Sequence, residues 1–142
     1  MIAYFDTSAI MALVLRVRSG HETARRVWQD ADEVTTVHLA PVEARAALTS
    51  EHGGGRLRHT RFQQAKAAWS QMWQEMAVVF ADEELVAAAA QTAERFRLRG
   101  YDAIHLAAAS HSGCDIFLCS DARLLDAARG SNLTIVDLKE VP

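Results

Sequence analysis

Short apolar runs recur along the chain at wide intervals, and the stretches between them carry apolar residues three and four positions apart. The short runs are residues 2–5 (IAYF), 33–37 (EVTTV), 77–80 (AVVF), 116–119 (IFLC) and 133–136 (LTIV). Runs of this length, rich in β-branched and aromatic residues, predict strands of a parallel sheet covered on both faces. The intervening patterns predict helices. Residues 20–30 place Ala24, Val27 and Trp28 at helical spacing. Pro41 suits a helical first turn, where its missing N–H costs nothing, and opens a helix through Leu48. Gly53, Gly54 and Gly55 read as a joint, followed by a long helix with Phe62, Ala65, Trp69, Met72, Trp73 and Met76 on one stripe. A further helix spans residues 82–99, with Leu85, Ala89, Ala93 and Phe96 inward and Gly100 as its stop. Residues 102–111 and 121–129 are the last two. The alternation predicts an α/β fold with a mostly parallel sheet of about five strands and right-handed crossovers.

Composition bounds this picture. The chain has 142 residues, half of them hydrophobic, so one domain over residues 1–142 can fill its own core without disulfides or structural metal. Cys114 and Cys119 are not spaced as C-x-x-C, and no second pair completes a zinc site. The apolar start carries Asp6 and no basic flank, and no apolar run is long enough to span a membrane, so a cytoplasmic protein is expected. The net charge of -3 argues against a broad basic surface for nucleic acid. Clustered carboxylates that hold divalent cations would neutralise much of that charge locally. The basic residues then matter by position: Arg16, Arg18, Arg25 and Arg26 lie early, and Arg95, Arg97 and Arg99 stand just before Asp102.

Four acids fall at the ends of predicted elements. Asp6 directly follows the first strand, and Asp121 follows the fourth after one residue. Glu43 lies in the first turn of the helix after strand two, and Asp102 opens the helix that leads into strand four. Ligands of an open parallel sheet bind beyond the carboxyl ends of the strands, where the strand order reverses. With the order 3-2-1-4-5, that point lies between strands one and four, and all four acids can reach it. Each acid also has a plainer role. Asp102 and Asp121 suit helix caps, and Glu43 near a helix start is ordinary. Asp6 is harder to explain so, because a charge at the end of a buried strand needs a partner or a metal. Clustered carboxylates repel one another, and a hard divalent cation, Mg²⁺ or Mn²⁺, relieves this. Such ions serve in-line displacement at phosphorus.

Other candidates carry less. His105, alone on an alanine-rich helix, reads as a packed or hydrogen-bonded histidine, and His111 faces another side. H-E-x-x-H and the phosphate-loop signature do not occur, and Ser8 has no Ser/His/Asp constellation. Trp69 and Trp73 read as core, or as a groove for a partner helix.

The segments YFDTSAI, PVEARAAL, GYDAIHLAAA and LCSDARLLDAA occur in the order and approximate spacing of the PIN-domain ribonucleases, which the chain resembles over essentially its whole length. Its length also matches the VapC toxins of bacterial toxin–antitoxin pairs. The resemblance implies a three-layer α/β/α fold and a Mg²⁺- or Mn²⁺-dependent endoribonuclease. It further implies a homodimer and a small cognate antitoxin that blocks the site. Asp6, Glu43, Asp102 and Asp121 match the family's acidic quartet, and Thr7, Ser8 and Ser120 match hydroxyl positions near its metal. Asp6, Asp102 and Asp121 would hold the metal, with Glu43 holding a second ion or orienting the attacking water. Two alternatives stand beside this one. In a phosphatase of the haloacid-dehalogenase type, Asp6 would attack phosphorus, but Ser8 stands where that family has a second Asp. In a non-catalytic protein-binding module, the acids would be helix caps only.

Overall fold

The computed structural model describes residues 1–16 and 19–140; Arg18, one of the early basic positions, lies outside them. The elements run β1 (Ile2–Phe5), α1 (Thr7–Leu15), α2 (His21–Asp30), β2 (Glu33–Val37), α3 (Ala40–Gly53), α4 (His59–Glu75), β3 (Ala77–Val79), α5 (Glu83–Phe96), α6 (Gly100–His111), β4 (Ile116–Cys119), α7 (Ala122–Ala128) and β5 (Thr134–Asp137). The sheet has five strands in the order β3-β2-β1-β4-β5, and every neighbouring pair is parallel. Both match the sequence expectation. No helix among the described residues is long and apolar enough to cross a membrane.

Side chains alternate across the central strands and divide the interior into two cores. Ala3 and Phe5 of β1 and Leu118 of β4 face one side, where they meet α1 to α4. Tyr4, Phe117 and Cys119 face the other, beneath α5, α6 and α7. The register Tyr4↔Phe117 and Phe5↔Leu118 keeps each set on its own face. A strand buried on both faces has no polar side, and for that reason the runs read as continuous apolar segments.

Several boundaries depart from the sequence reading. α1 was not foreseen, and most of it is buried, from Ala9 through Ala12 and again at Val14 and Leu15. A helix apolar all round shows no amphipathic period, so periodicity alone does not reveal it. α3 runs on to Gly53, past the expected end at Leu48. α5 stops at Phe96 rather than near Gly100, because Arg97 takes the left-handed conformation and its N–H bonds the carbonyl of Ala93. Gly100 then begins α6 instead of ending α5. β3 is one residue shorter than predicted, and β5 begins and ends one residue later.

Gly20 closes the fold where α2 begins. Its φ is +88°, and a Cβ placed there would lie 2.5 Å from the carbonyl oxygen of the buried Leu138. Both the backbone conformation and the space therefore demand glycine. Gly20→Ala is expected to lower the unfolding free energy by about 2 kcal/mol or more, read as a lower urea midpoint at unchanged slope.

Candidate active site

The two central strands bring the first pair of acids together. β1 and β4 are neighbours, and the N–H of Asp6 donates to the carbonyl of Leu118 at 3.3 Å. Asp6 thus sits at the carboxyl end of β1 and is 4% exposed. It is also the cap of α1: its Oδ1 accepts from the Ala9 N–H at 3.0 Å and from the Ser8 hydroxyl at 2.6 Å. Ser8 Oγ in turn accepts from the backbone N–H of Ser120 at 3.0 Å. Ser8 therefore ties the end of β1 to the end of β4, and Ser120 joins the network through its backbone.

Asp121 caps α7, taking the Leu124 N–H on Oδ1 at 3.0 Å. Its Oδ2 lies 3.7 Å from the guanidinium of Arg99, whose Nε is 3.6 Å from Asp102 Oδ2. A single exposed arginine thus sits between two carboxylates on different elements. Asp102 does not cap α6, contrary to the sequence expectation. The helix begins two residues earlier at Gly100, its cap is Arg99, and no side chain bonds the free N–H groups there. Asp102 lies instead in the first turn, where the helix dipole favours a negative charge but leaves the carboxylate unengaged by the backbone cap.

Glu43 occupies the first turn of α3, after β2. Two donors converge on its Oε1: the Thr7 hydroxyl at 2.8 Å and His105 Nε2 at 2.5 Å. The sequence reading of His105 as a buried, hydrogen-bonded residue holds, since it is 1% exposed. Its contact with Glu43 was missed. One signal was available in the sequence: His105 lies three residues after Asp102, on the same face of α6.

The electrostatics fit a cluster. Burial lifts the Asp6 carboxyl to about 6, and the charge of Asp102 adds to it, while His105, Ser8 and the Ala9 N–H pull it back. Asp102 is also raised, first by burial and then by the charge of Asp121, with Glu43 adding to it. Burial pushes Glu43 up as well, but the bonds from His105 and Thr7 outweigh it and hold the group below the usual glutamate range. Charge-assisted hydrogen bonds of this kind are worth about 1.5–3 kcal/mol each.

The carboxylates of Asp6, Glu43, Asp102 and Asp121 are hard oxygen donors suited to Mg²⁺ or Mn²⁺. The guanidinium between Asp102 and Asp121 marks a place where positive charge is favoured. Among the described residues, however, no three His, Cys, Asp or Glu side chains already stand in ligating positions together. The donors fit such an ion by their chemistry, and ligation calls for side-chain rotation and for Arg99 to move aside.

Comparison with known proteins places the chain. A profile of the PIN domain matches residues 3–130. Ribonuclease VapC45 of Mycobacterium tuberculosis is 32% identical over 108 residues, which cover 76% of this chain and 74% of that protein. Among solved structures, PAE2754 from Pyrobaculum aerophilum superposes with a TM-score of 0.71 at 22% identity, over 98% of this chain and 90% of its own. A toxin–antitoxin complex from Klebsiella pneumoniae gives a TM-score of 0.67 at 16% identity, over 98% and 99% of the two chains.

Proposed function

Because the chain belongs to the PIN domain family, we propose that it is a metal-dependent endoribonuclease that acts as the toxin of a toxin–antitoxin pair. Its substrate is RNA, and its partners are a small cognate antitoxin and a second copy of the chain. Its place of action is the cytoplasm, and its cofactor is Mg²⁺ or Mn²⁺.

The observation that carries this reading is the burial of Asp6 at the carboxyl end of the central strand, beside the charge of Asp102. A helix cap needs only an oxygen, and a serine or asparagine supplies one without burying charge. The carboxylate therefore serves chemistry beyond the cap. Asp6, Asp102 and Asp121 would hold the metal. A bound divalent ion stabilises charge on the phosphate oxygens and lowers the pKa of a water molecule. Glu43, fixed through Oε1 by Thr7 and His105, orients the attacking water with its other oxygen. Ser8 keeps Asp6 and the β4 end in register.

Arg99 competes for the same carboxylates that would take the ion. Its side chain is 83% exposed, so its attraction is heavily screened and worth at most about 1 kcal/mol. Arg99→Ala is expected to tighten Mn²⁺ binding by no more than about fivefold at low salt, and the difference should shrink as salt rises. Titration of the protein with Mn²⁺, read by electron paramagnetic resonance, checks it.

The functional reading is tested by incubating the purified chain with structured and unstructured RNA in Mg²⁺ and mapping the new ends. Fragments with defined internal ends are expected. RNA that stays intact with the folded, metal-supplied protein contradicts the proposal.

A further inference from the structure

A side-chain path links the two faces of the sheet. Tyr4, on β1, is completely buried on the α5–α7 side, and its hydroxyl lies 2.8 Å from His105 Nδ1. The opposite ring nitrogen, Nε2, meets Glu43 Oε1 at 2.5 Å and Thr7 Oγ1 at 3.2 Å. A chain of side chains thus runs from the second core through α6 to the first turn of α3, joining residues 101 and 62 positions apart. The Tyr4 and His105 rings meet edge to face, with centroids 5.8 Å apart. Phe117 stacks on the far side of Tyr4, so the phenol has little freedom to turn.

We infer that Tyr4 and His105 form a positioning relay that fixes the orientation of Glu43; this rests on the reading of the acid cluster as an RNA-cleaving site. The phenol O–H of Tyr4 is within donating distance of Nδ1. A ring nitrogen that accepts a proton donor carries no hydrogen, which leaves the ring proton on Nε2. Nε2–H then donates to Glu43 Oε1 beside the Thr7 hydroxyl. Both donors occupy the same carboxylate oxygen, so Oε2 is the one available to water or metal. Without the Tyr4 hydroxyl, Nδ1 loses its partner, and the Glu43 carboxylate alone holds the ring. With the proton on Nδ1 instead, a lone pair on Nε2 would face the carboxylate and push Glu43 away. A partner that sets ring tautomer and orientation behind a ligand typically changes activity or metal affinity about 10–100-fold.

The test needs no active enzyme for its first arm. Nitrogen-15 spectra of the His105 ring in the wild-type protein are expected to show the Nε2–H tautomer, and Tyr4→Phe, which leaves Nδ1 without its donor, should shift the Nδ1 resonance. An Nδ1–H ring in the wild type overturns the relay. In the second arm, His105→Ala and Tyr4→Phe are expected to lower kcat on an RNA oligonucleotide, by about 10–100-fold for His105→Ala, with KM unchanged. His105→Gln, whose amide can still donate to Glu43, should recover at least tenfold of the loss at a thermal midpoint equal to that of His105→Ala. If Tyr4→Phe changes neither the ring spectrum nor kcat, the relay is wrong. Should His105→Ala fail to fold, Tyr4→Phe and the wild-type spectrum still decide. Failure of the functional reading looks different: the wild type then leaves RNA intact, whatever the ring spectra show.

Discussion

Asp6→Asn is expected to abolish RNA cleavage, by at least about 10³-fold, while giving a metal-free protein more stable than its parent above neutral pH. The two halves of this prediction share one cause. Asparagine keeps an oxygen that can accept from the Ala9 N–H and the Ser8 hydroxyl, so the cap of α1 and the tie to Ser120 persist. It loses the charge that metal binding and phosphate chemistry need. It also loses the cost of that charge, since burial holds the Asp6 carboxyl near 6, above the ordinary aspartate range. A carboxyl whose folded value lies above its unfolded value binds its proton more tightly in the native state. The parent therefore keeps its full stability below about pH 4 and loses part of it as pH rises through about 6. In EDTA the variant should match the parent near pH 4 and exceed it by about 1–3 kcal/mol at pH 8. Urea unfolding at the two pH values checks this. A variant less stable than the parent at pH 8 would mean that Asp6 serves the fold through its charge.

Metal removal is the second large effect. With EDTA, cleavage should fall to background, and excess Mg²⁺ or Mn²⁺ should restore it. Zn²⁺, which prefers nitrogen and sulfur ligands, should restore it poorly, because the acids that would hold the ion are carboxylate donors and the His105 nitrogen is held by Glu43. The same ion should raise thermal stability, since a ligand that binds only the folded state stabilises it by mass action: about 2.7 kcal/mol at a hundred times its dissociation constant. The stabilisation should be larger at pH 8 than at pH 5, because Asp6 and Asp102 are both raised and protons compete with the metal for them. It should vanish in Asp6→Asn. Scanning calorimetry with and without Mn²⁺ reads all three trends. Cleavage that persists in excess EDTA would remove the metal from the account.

Much of this was legible in the chain for a physical reason. A parallel sheet covered on both faces leaves short apolar runs, so the five strands were legible from the runs and their spacing, whereas the order 3-2-1-4-5 was taken with the fold and not read from spacing. The acids at strand ends were legible because Asp6 directly follows the first run and Asp121 follows the fourth after one residue. Other features were not. α1 has no polar stripe, so its period is invisible. The start of α6 was misplaced because Asp102 looks like a cap, whereas Gly100 already begins the helix with no side-chain cap at all. Arg97 in the left-handed conformation, a position that favours glycine, hid the end of α5 behind Gly100. The bond between His105 and Glu43 joins α6 to α3; the local pattern puts His105 on the Asp102 face of α6 but does not reveal that Glu43 meets it. The outcome for Asp102 and His105 is a partial exchange of roles. The expected cap is a carboxylate paired with Arg99, and the expected scaffold histidine touches Glu43.

The central claim is that the buried carboxylate at the end of β1 drives metal-dependent RNA cleavage. Its most direct measurement sets wild type beside Asp6→Asn, both shown folded by circular dichroism, on one labelled RNA in Mg²⁺. The account predicts defined fragments from the wild type and none from the variant. Equal cleavage by the two proteins would contradict it.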